Sequence, residues 1–299
     1  MTDHVVIAIP TFRRPKSLKR LLDAIAALET KAHIAVLVAD NDAAGQAGMA
    51  LCRSLVPGYR WPLQAVVAHQ RGIAQARNVL IEQALHHPDA GFIAMIDDDE
   101  WPEPGWIDEF LKTAHRTGAG LLQGSILFGD VAGHADIRRP SGPVMALQGA
   151  GNLLIRREIV QAMAAPWFDP QFALSGGEDA DFFRRADRAG CRFAWADEAR
   201  AHGEVQPGRA RLSWVLARAY STGNSDMRVL LKHRTGPAPI LTELCKILAV
   251  LLLSPFAAVI FAASPNRRLA PLRKLCRAAG KLTAMLGARY NEYAVIHGE

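Results

Sequence analysis

The stretch FIAMIDDDEWPEP, residues 92–104, gives the strongest indication of the fold. Its first five residues, 92–96, are all apolar, as in a strand that is buried on both faces of a sheet. Four adjacent acids follow at once: Asp97, Asp98, Asp99 and Glu100. Because these carboxylates repel one another, we expect a positive group beside them, and a divalent cation with oxygen ligands is the natural candidate. A solvated acidic turn ahead of two prolines is the alternative.

Outward from this stretch, strand and helix patterns alternate along the first two hundred residues. Strands are predicted for residues 4–10, 34–40, 63–68, 92–96, 121–128 and 152–156. Helices are predicted for residues 18–28, 73–85 and 178–189. The pattern predicts an α/β fold with a mostly parallel central sheet and helices on both faces. Ligands bind beyond the carboxyl ends of such strands, where many polar residues of this sequence fall.

The composition is that of a folded chain. Half of the 299 residues are hydrophobic, which provides a sizeable core and excludes general disorder. The four cysteines lie far apart, without a Cys-x-x-Cys pair. This spacing disfavours a disulfide scaffold and a zinc ribbon, and it favours a reducing compartment. The first residues, MTDHVVIAIP, do not have the pattern of a secretory signal.

The net charge of +6 is unevenly distributed, because the first 199 residues are slightly acidic and the remainder is strongly basic. Residues 212–231 have an amphipathic pattern near arginines, of which Arg209 and Arg211 could contact the phosphates of a substrate or a membrane. Residues 247–265 then contain no charged residue, over a length close to the ~20 residues that cross a bilayer. Pro255 lies in the middle of this run and is expected to kink or break a helix.

Three arrangements of the apolar run stay open. Basic residues flank it on both sides, which favours a re-entrant or interfacial segment over a spanning helix. A buried helix of a soluble protein is the third arrangement. We predict that residues 206–299 form a basic, apolar helical extension that binds an anionic membrane surface.

Five segments, in order, resemble an inverting glycosyltransferase of family two. The segments are VVIAIPTFRRP (5–15), VLVADND (36–42), RGIAQARN (71–78), MIDDDEWPEP (95–104) and GGEDADFFRRADRAG (176–190). The chain is most similar to the bacterial group that builds exopolysaccharides such as succinoglycan. The resemblance implies the GT-A fold of nucleotide-sugar enzymes over residues 1–205, with a nucleotide-sugar half near residues 1–100 and an acceptor half near 101–205.

The resemblance implies that the first two segments bind the nucleoside. Pro10 and Thr11 form the turn that contacts it, and Asp40 accepts a hydrogen bond from the base. Thr11 offers a hydroxyl at the open end of a strand, although an ordinary strand-to-helix turn would look the same. Asp42 either shares the role of Asp40 or shapes the turn.

Arg77 and Asn78 correspond to the pair that lies beside the diphosphate in the family. A guanidinium can hold a phosphate at two oxygens and offset its charge. Arg71 could help in this role, and an arginine at a solvated helix start is the alternative.

The four acids correspond to the metal-binding region of the family. The resemblance implies that Asp99 is the main ligand of Mg²⁺ or Mn²⁺, and that Asp97 helps through the metal or the sugar. Asp98 would contact the ribose or sugar hydroxyls. The metal would bridge the phosphates of the donor and stabilise the leaving nucleoside diphosphate.

Glu178 and Asp179 correspond to the catalytic pair, in which the aspartate is the general base. Asp179 would take the proton from an acceptor hydroxyl as its oxygen attacks the anomeric carbon, so that one displacement inverts the configuration. Gly176 and Gly177 would let the backbone pass close to the substrate. The alternative is that both acids only favour the positive end of a helix.

Three aromatic or titratable residues have less specific signals. His202 lies where related enzymes carry a polar or metal-binding residue, but a lone histidine is more often structural. Trp101 and Trp106 could stack on a sugar, although packing is the more common role.

The sequence thus predicts a metal-dependent, inverting, hexosyltransferase-like enzyme. It would transfer a sugar from a nucleotide-diphosphate sugar to a polyprenyl-linked saccharide acceptor, at the cytoplasmic face of the inner (plasma) membrane. The base, the sugar and the acceptor hydroxyl stay open, and so does a catalytically inactive nucleotide-sugar-binding or scaffold protein. A nucleic-acid partner is disfavoured because the positive charge flanks an apolar segment. A dehydrogenase is disfavoured because no G-x-G-x-x-G follows the first strand.

Overall fold

The computed structural model describes residues 2–129, 136–204, 211–264 and 268–291. These residues fall into two compact units. The larger unit contains the chain up to Ala173 together with Glu178–Glu204, and the smaller unit contains Leu174–Gly177 and the helices that follow residue 211. Arg209, Pro265 and the predicted domain boundary at 205/206 lie outside the described residues.

The first half of the larger unit is a parallel sheet with helical connections. Its strands are β1 (His4–Thr11), β2 (His33–Asp40), β3 (Leu63–Val67) and β4 (Phe92–Met95), in the spatial order β3-β2-β1-β4. The connecting helices are α1 (Pro15–Ala26), α2 (Ala47–Leu55) and α3 (Ile73–Leu85). Alternate residues of β1 enter two separate apolar clusters, one on each face of the sheet. This burial on both faces explains the continuous apolar runs in the sequence.

The second half of the unit is mixed. Its strands are β5 (Glu100–Pro102), β6 (Leu121–Leu127), β7 (Gly142–Val144), β8 (Leu153–Arg156) and β9 (Phe193–Gly203). Its helices are α4 (Trp106–Thr117), α5 (Arg157–Ala162) and α6 (Glu178–Arg188). Beyond β4 the sheet continues as β8-β6-β9-β5, and β7 pairs with β9. The predicted α/β fold is confirmed, but the sheet is mixed, because β8 runs antiparallel between β4 and β6.

Sheet register sets the position of the polar residues. Thr11 pairs with Asp40 at the carboxyl ends of β1 and β2, and the acids after β4 emerge at the same edge. The chain then forms β5, in which Glu100 pairs with Gly203 of β9. The acidic segment is therefore held between two strands of one sheet.

The smaller unit contains three helices: α7 (Leu212–His233), α8 (Ala238–Phe261) and α9 (Ala270–Met285). Helices α7 and α9 approach closely where two glycines meet the opposing backbone: a Cβ atom on Gly280 would lie 2.0 Å from the carbonyl oxygen of Tyr220. The buried Asn224 side chain reinforces the contact by donating to the carbonyl oxygen of Ala288 at 3.0 Å. Helix α8 begins before the predicted apolar run and continues through Pro255. Among the described helices, α8 is long and apolar enough to cross a membrane.

Candidate active site

The end of β1 holds the acidic segment in place. The Thr11 hydroxyl donates a 2.8 Å hydrogen bond to Oδ2 of Asp98. Arg14 Nη1 lies 3.1 Å from Oδ1 of Asp98 and 3.1 Å from Oδ2 of Asp99. Arg14 was not among the predicted site residues, because an arginine after a turn has no distinctive signal in one sequence.

Arg77 on α3 joins the acidic segment to the start of α6. Its Nη1 donates to Oε1 of Glu178 at 2.7 Å, and its Nη2 donates to Oδ1 of Asp97 at 3.0 Å. Arg77 and Glu178 are both nearly inaccessible, so their ion pair is shielded from bulk water, whereas the Asp97 partner is 34% exposed. The structure therefore brings together two motifs that are distant in the sequence, and it places Arg77 between them. A contact of Arg77 with a diphosphate stays a prediction.

Burial and the repulsion of neighbouring acids raise the pKa values of three carboxyl groups in this cluster. Burial, together with the neighbouring charge of Asp99, raises the pKa of Asp98 to about 7. Burial and the charge of Asp179 raise the pKa of Glu178 to about 7, against the attraction of Arg77. Burial and the charge of Asp97 raise the pKa of Glu100 well above its ordinary value. The site therefore favours the arrival of a positive group.

A glycine-containing loop before β8 runs along the same acids. A Cβ atom on Gly151 would lie 2.7 Å from Oε1 of Glu100 and 3.3 Å from Oδ2 of Asp97. A Cβ atom on Gly149 would lie 3.6 Å from Oδ2 of Asp179. The loop was not predicted as part of the site, although the sequence Gly-Ala-Gly-Asn at 149–152 marks a close approach of backbone.

Asn152 anchors this loop in the core. Its φ angle of 47° is left-handed, and its amide group donates to the carbonyl oxygens of Ser125 at 2.8 Å and Ala199 at 2.9 Å. The fully buried Trp106 donates from Nε1 to Oδ1 of Asn152 at 2.6 Å. Trp106 therefore packs in the core, which is the common alternative to stacking on a sugar.

The nucleoside-binding residues of the prediction meet at the ends of β1 and β2. Asp40 is fully buried, and its two oxygens accept hydrogen bonds from the backbone NH groups of Asp42 and Met49. The guanidinium groups of Arg13 and Arg71 both contact the ring of Phe12, with each Cζ 5.1 Å from the ring centroid. Arg71 is thus brought to the end of β1, and Asp42 forms an ion pair with Arg13 at 2.7 Å. Contacts of these groups with a nucleoside stay predictions.

Asn41 positions the loop that carries Arg71, and the sequence prediction missed it. Its amide group donates to the carbonyl oxygens of Ala68 and Gln70, and its oxygen accepts from the NH group of Gly72 at 2.6 Å. An Asn between two Asp residues at the end of a strand was the available signal.

Two further predicted site residues, Asn78 and Pro10, make contacts with neighbouring backbone. The Asn78 amide exchanges hydrogen bonds with the backbone of Phe168, whose ring centroid is 5.6 Å from Cζ of Arg77. Pro10 is buried within β1, where it pairs with Ala39. Their predicted contacts with the donor stay predictions.

His202 lies beside the acidic segment rather than within it. It pairs with Trp101 across β5 and β9, and the two rings stack with centroids 5.7 Å apart. Its Nε2 is 3.3 Å from Oε1 of Glu103. These contacts match the structural alternative for this histidine.

The carboxylate oxygens of the cluster are the type of ligand that Mg²⁺ or Mn²⁺ prefers. Among the described residues, Oε2 of Glu100 and Oε2 of Glu178 are buried and have no hydrogen-bond partner. The described residues contain no group of three or more His, Cys, Asp or Glu side chains that could hold an ion without a further ligand. Mg²⁺ is commonly bound by one or two carboxylates together with substrate phosphates. The residues therefore fit an ion that is held jointly with a phosphate ligand.

Glu178→Gln is expected to stabilise the ligand-free protein more at pH 8 than at pH 5. At pH 5 the folded protein holds Glu178 protonated, and the side chain then resembles glutamine. As the pH rises from the ordinary value of 4.5 through about 7, the unfolded chain gives up this proton first, so the parent protein loses stability. Glutamine escapes this loss, which amounts to roughly 2–3 kcal/mol.

Urea unfolding at the two pH values measures the difference, with the exposed Glu158→Gln on α5 as the control. An equal effect of Glu178→Gln at both pH values would contradict the raised pKa of Glu178 in the folded protein.

Comparisons with known proteins agree with this geometry. The family model with the description Glycosyl transferase family 2 matches residues 6–160, which is slightly more than half of the chain. The succinoglycan biosynthesis protein ExoM of Rhizobium meliloti (strain 1021) is 31% identical over 251 residues, which cover 79% of this chain and 78% of ExoM.

Solved structures show the same fold. The mannosyltransferase PcManGT from Pyrobaculum calidifontis, in complex with GDP-Man and Mn²⁺, superposes with a TM-score of 0.62 at 15% identity. That match covers 94% of this chain and 88% of PcManGT. S. aureus TarS 1-349 in complex with UDP superposes with a TM-score of 0.54 at 18% identity, over 97% of this chain and 93% of TarS. This chain therefore belongs to glycosyltransferase family 2 and has the GT-A fold.

Proposed function

We propose that this glycosyltransferase moves one sugar from a nucleotide-diphosphate sugar to a saccharide acceptor and inverts the anomeric configuration. The observation that carries the proposal is the double ion pair of Arg77. It joins the acids after β4 to the Glu178–Asp179 pair, which supports a proposed donor site and a proposed base in one cluster. Structural neighbours in complex with UDP and with GDP-Man support a nucleotide-sugar donor.

The donor half of the site would be built on Asp97 and Asp99. Both carry carboxylate oxygens at the open edge of the sheet, and Asp97 is 34% exposed. These two residues would hold Mg²⁺ or Mn²⁺, and the ion would offset the charge that develops on the leaving diphosphate. Thr11 and Arg14 hold the carboxylates of Asp98 and Asp99 by hydrogen bonds, so the segment needs little rearrangement when the donor binds.

The acceptor half divides its work between two neighbouring acids. Glu178 is buried, points to Arg77 and therefore positions the start of α6. Asp179 is more exposed and lies along the Gly149 backbone, where a Cβ atom would make only ordinary contact. Asp179 would accept the proton of the attacking hydroxyl, and the new glycosidic bond would form on the face opposite the leaving diphosphate.

The acceptor is proposed to be a polyprenyl-linked saccharide at the cytoplasmic face of the inner membrane. The similarity to a succinoglycan biosynthesis protein supports a growing polysaccharide as the acceptor. The apolar helix α8 and the basic charge of the tail support an anionic membrane as the place of reaction.

Loss of the proposed base is expected to abolish transfer. Asp179→Asn should lower the release of nucleoside diphosphate from UDP- and GDP-sugars at least 100-fold, because a positioned base contributes about 10²–10⁴-fold. Asp99→Asn should lower the same rate and raise the metal concentration needed for half activity. Release is measured with a panel of sugar nucleotides in Mn²⁺ or Mg²⁺.

The matched control is Asp187→Asn, an exposed acid on the same helix as Asp179. Full turnover in both site variants would contradict the assignment. Metal-dependent nucleotide binding without turnover in the parent protein would instead favour the inactive binding protein.

Substitutions at the two glycines of the loop before β8 are expected to differ. Gly151→Ala places a methyl group 2.7 Å from Oε1 of Glu100, and should lower turnover about 10-fold or more by displacing the acids. Gly149→Ala makes only an ordinary contact of 3.6 Å with Asp179, and should keep most of the activity. Turnover is compared together with thermal stability. Equal activity of the two variants, at equal stability, would show that the loop does not position the site.

A further inference from the structure

Helix α8 exposes an apolar surface along most of its length. The exposed large side chains are Leu241, Leu244, Leu248, Leu251, Leu252, Leu253, Phe256, Val259 and Ile260. At 100° per residue they cover an arc of about 200° on one side of the helix. Only 11% of the most apolar window of α8 is buried. This excludes the arrangement in which α8 is a buried helix of the described chain.

The opposite side of α8 packs against the other two helices of the smaller unit, with contacts in the first half of α8. Its buried residues are Glu243, Ile247 and Ser254, which extend over about 16 Å of helix. Ile247 belongs to one apolar cluster with Met227 of α7 and Ala278 of α9. Glu243 accepts from Lys281 Nζ of α9 at 2.5 Å, so a partly buried ion pair fixes the start of α8.

The helices that carry α8 are too polar to enter hydrocarbon. Arg273, Lys274 and Arg277 are exposed on α9, between its buried residues Pro271 and Ala278. Charged side chains at the centre of a bilayer are costly. Because Glu243 pairs with Lys281 and Ile247 packs with Ala278, a spanning α8 would carry Lys281 and the neighbouring Arg277 into the membrane.

The charge of the tail selects the partner of the apolar surface. The described tail contains two acids, and both form ion pairs: Asp226 with Arg277, and Glu243 with Lys246 and Lys281. Twelve basic residues stand against them: Arg211, Arg218, Arg228, Lys232, Arg234, Lys246, Arg268, Arg273, Lys274, Arg277, Lys281 and Arg289. Two copies facing each other through this surface would repel, whereas anionic lipid head groups would be attracted.

We propose that α8 lies in the plane of an anionic membrane, with its apolar arc in one leaflet and the charged faces of α7 and α9 in water. This proposal rests on the membrane association included in the proposed function, and it specifies how that association occurs. Insertion by about 5–10 Å, into the boundary between head groups and acyl chains, would immerse the apolar arc and leave the charged helices outside.

Depth measurements along the helix test the proposal. In the full-length protein with Cys52, Cys191, Cys245 and Cys276 replaced, a spin label is attached in turn at Leu241→Cys, Leu248→Cys, Leu252→Cys and Val259→Cys. These positions share one side of α8. The protein is bound to vesicles of equal parts phosphatidylcholine and phosphatidylglycerol, and the accessibility of each label to oxygen and to a water-soluble nickel complex gives its depth.

An in-plane helix predicts depths that agree within about 5 Å, whereas a spanning helix predicts a difference of about 27 Å between positions 241 and 259. A steady gradient of depth overturns the in-plane arrangement. Failure to bind the vesicles, or formation of dimers in their place, overturns the membrane as partner. Sugar transfer is assayed separately. Equal depths without transfer would contradict the proposed enzymatic activity and leave the in-plane arrangement of α8 intact.

A substitution pair supplies the control. Phe256→Glu should weaken vesicle binding at least 10-fold, because it places a charge in the apolar arc. Met145→Glu places the same charge on an exposed residue of the larger unit and should leave binding unchanged. Equal binding of the two variants would contradict the proposal.

Discussion

The site of this glycosyltransferase depends on the burial of several carboxyl groups beside one another. Asp98, Glu100 and Glu178 are buried close together, and their pKa values are raised although Arg14 and Arg77 contact the cluster. Such an arrangement costs stability, and proteins tolerate such costs mainly at functional sites. A divalent cation would offset the charge, and a donor diphosphate would then complete the coordination of that ion.

The scaffold supplies this site from three directions. The parallel strands bring Thr11 and Asp40 to one edge, helix α3 inserts Arg77 from one face, and α6 begins at Glu178. The loop before β8 closes the cluster with backbone rather than side chains, which leaves room beside Asp179. Donor and acceptor would therefore meet between parts of the chain that are separated in sequence but tied together by Arg77.

Much of the fold could be predicted from the sequence, because strands buried on both faces leave continuous apolar runs and α3 and α6 leave clear boundaries. Strand β9 could not, since Asp197, Glu198 and Arg200 interrupt its pattern and its pairing depends on three distant strands. The antiparallel placement of β8 has the same cause. Pairing partners are a tertiary property that periodicity does not record.

Most of the site residues could be predicted from the sequence, but the contacts between them could not. The acids and Arg77 were identifiable from their motifs, but the ion pairs that connect them join residues far apart in the chain. Arg14, Asn41 and Gly151 were missed because their roles depend on the folded structure. Arg14 reaches the acids after β4, Asn41 makes three hydrogen bonds, and Gly151 lets the loop pass close to the acids because it lacks a Cβ atom. Arg14 leaves no pattern in a single sequence, and the signals of Asn41 and Gly151 do not indicate which residues they contact.

The central claim is that the acids after β4 and a metal ion together hold the diphosphate of the donor. A crystal structure of the protein with Mn²⁺ and UDP or GDP, recorded at the manganese absorption edge, tests it most directly. The account predicts an anomalous peak between the diphosphate and the carboxylates of Asp97 and Asp99. A nucleotide bound elsewhere, or bound at this edge with its diphosphate and no manganese beside those carboxylates, would contradict it.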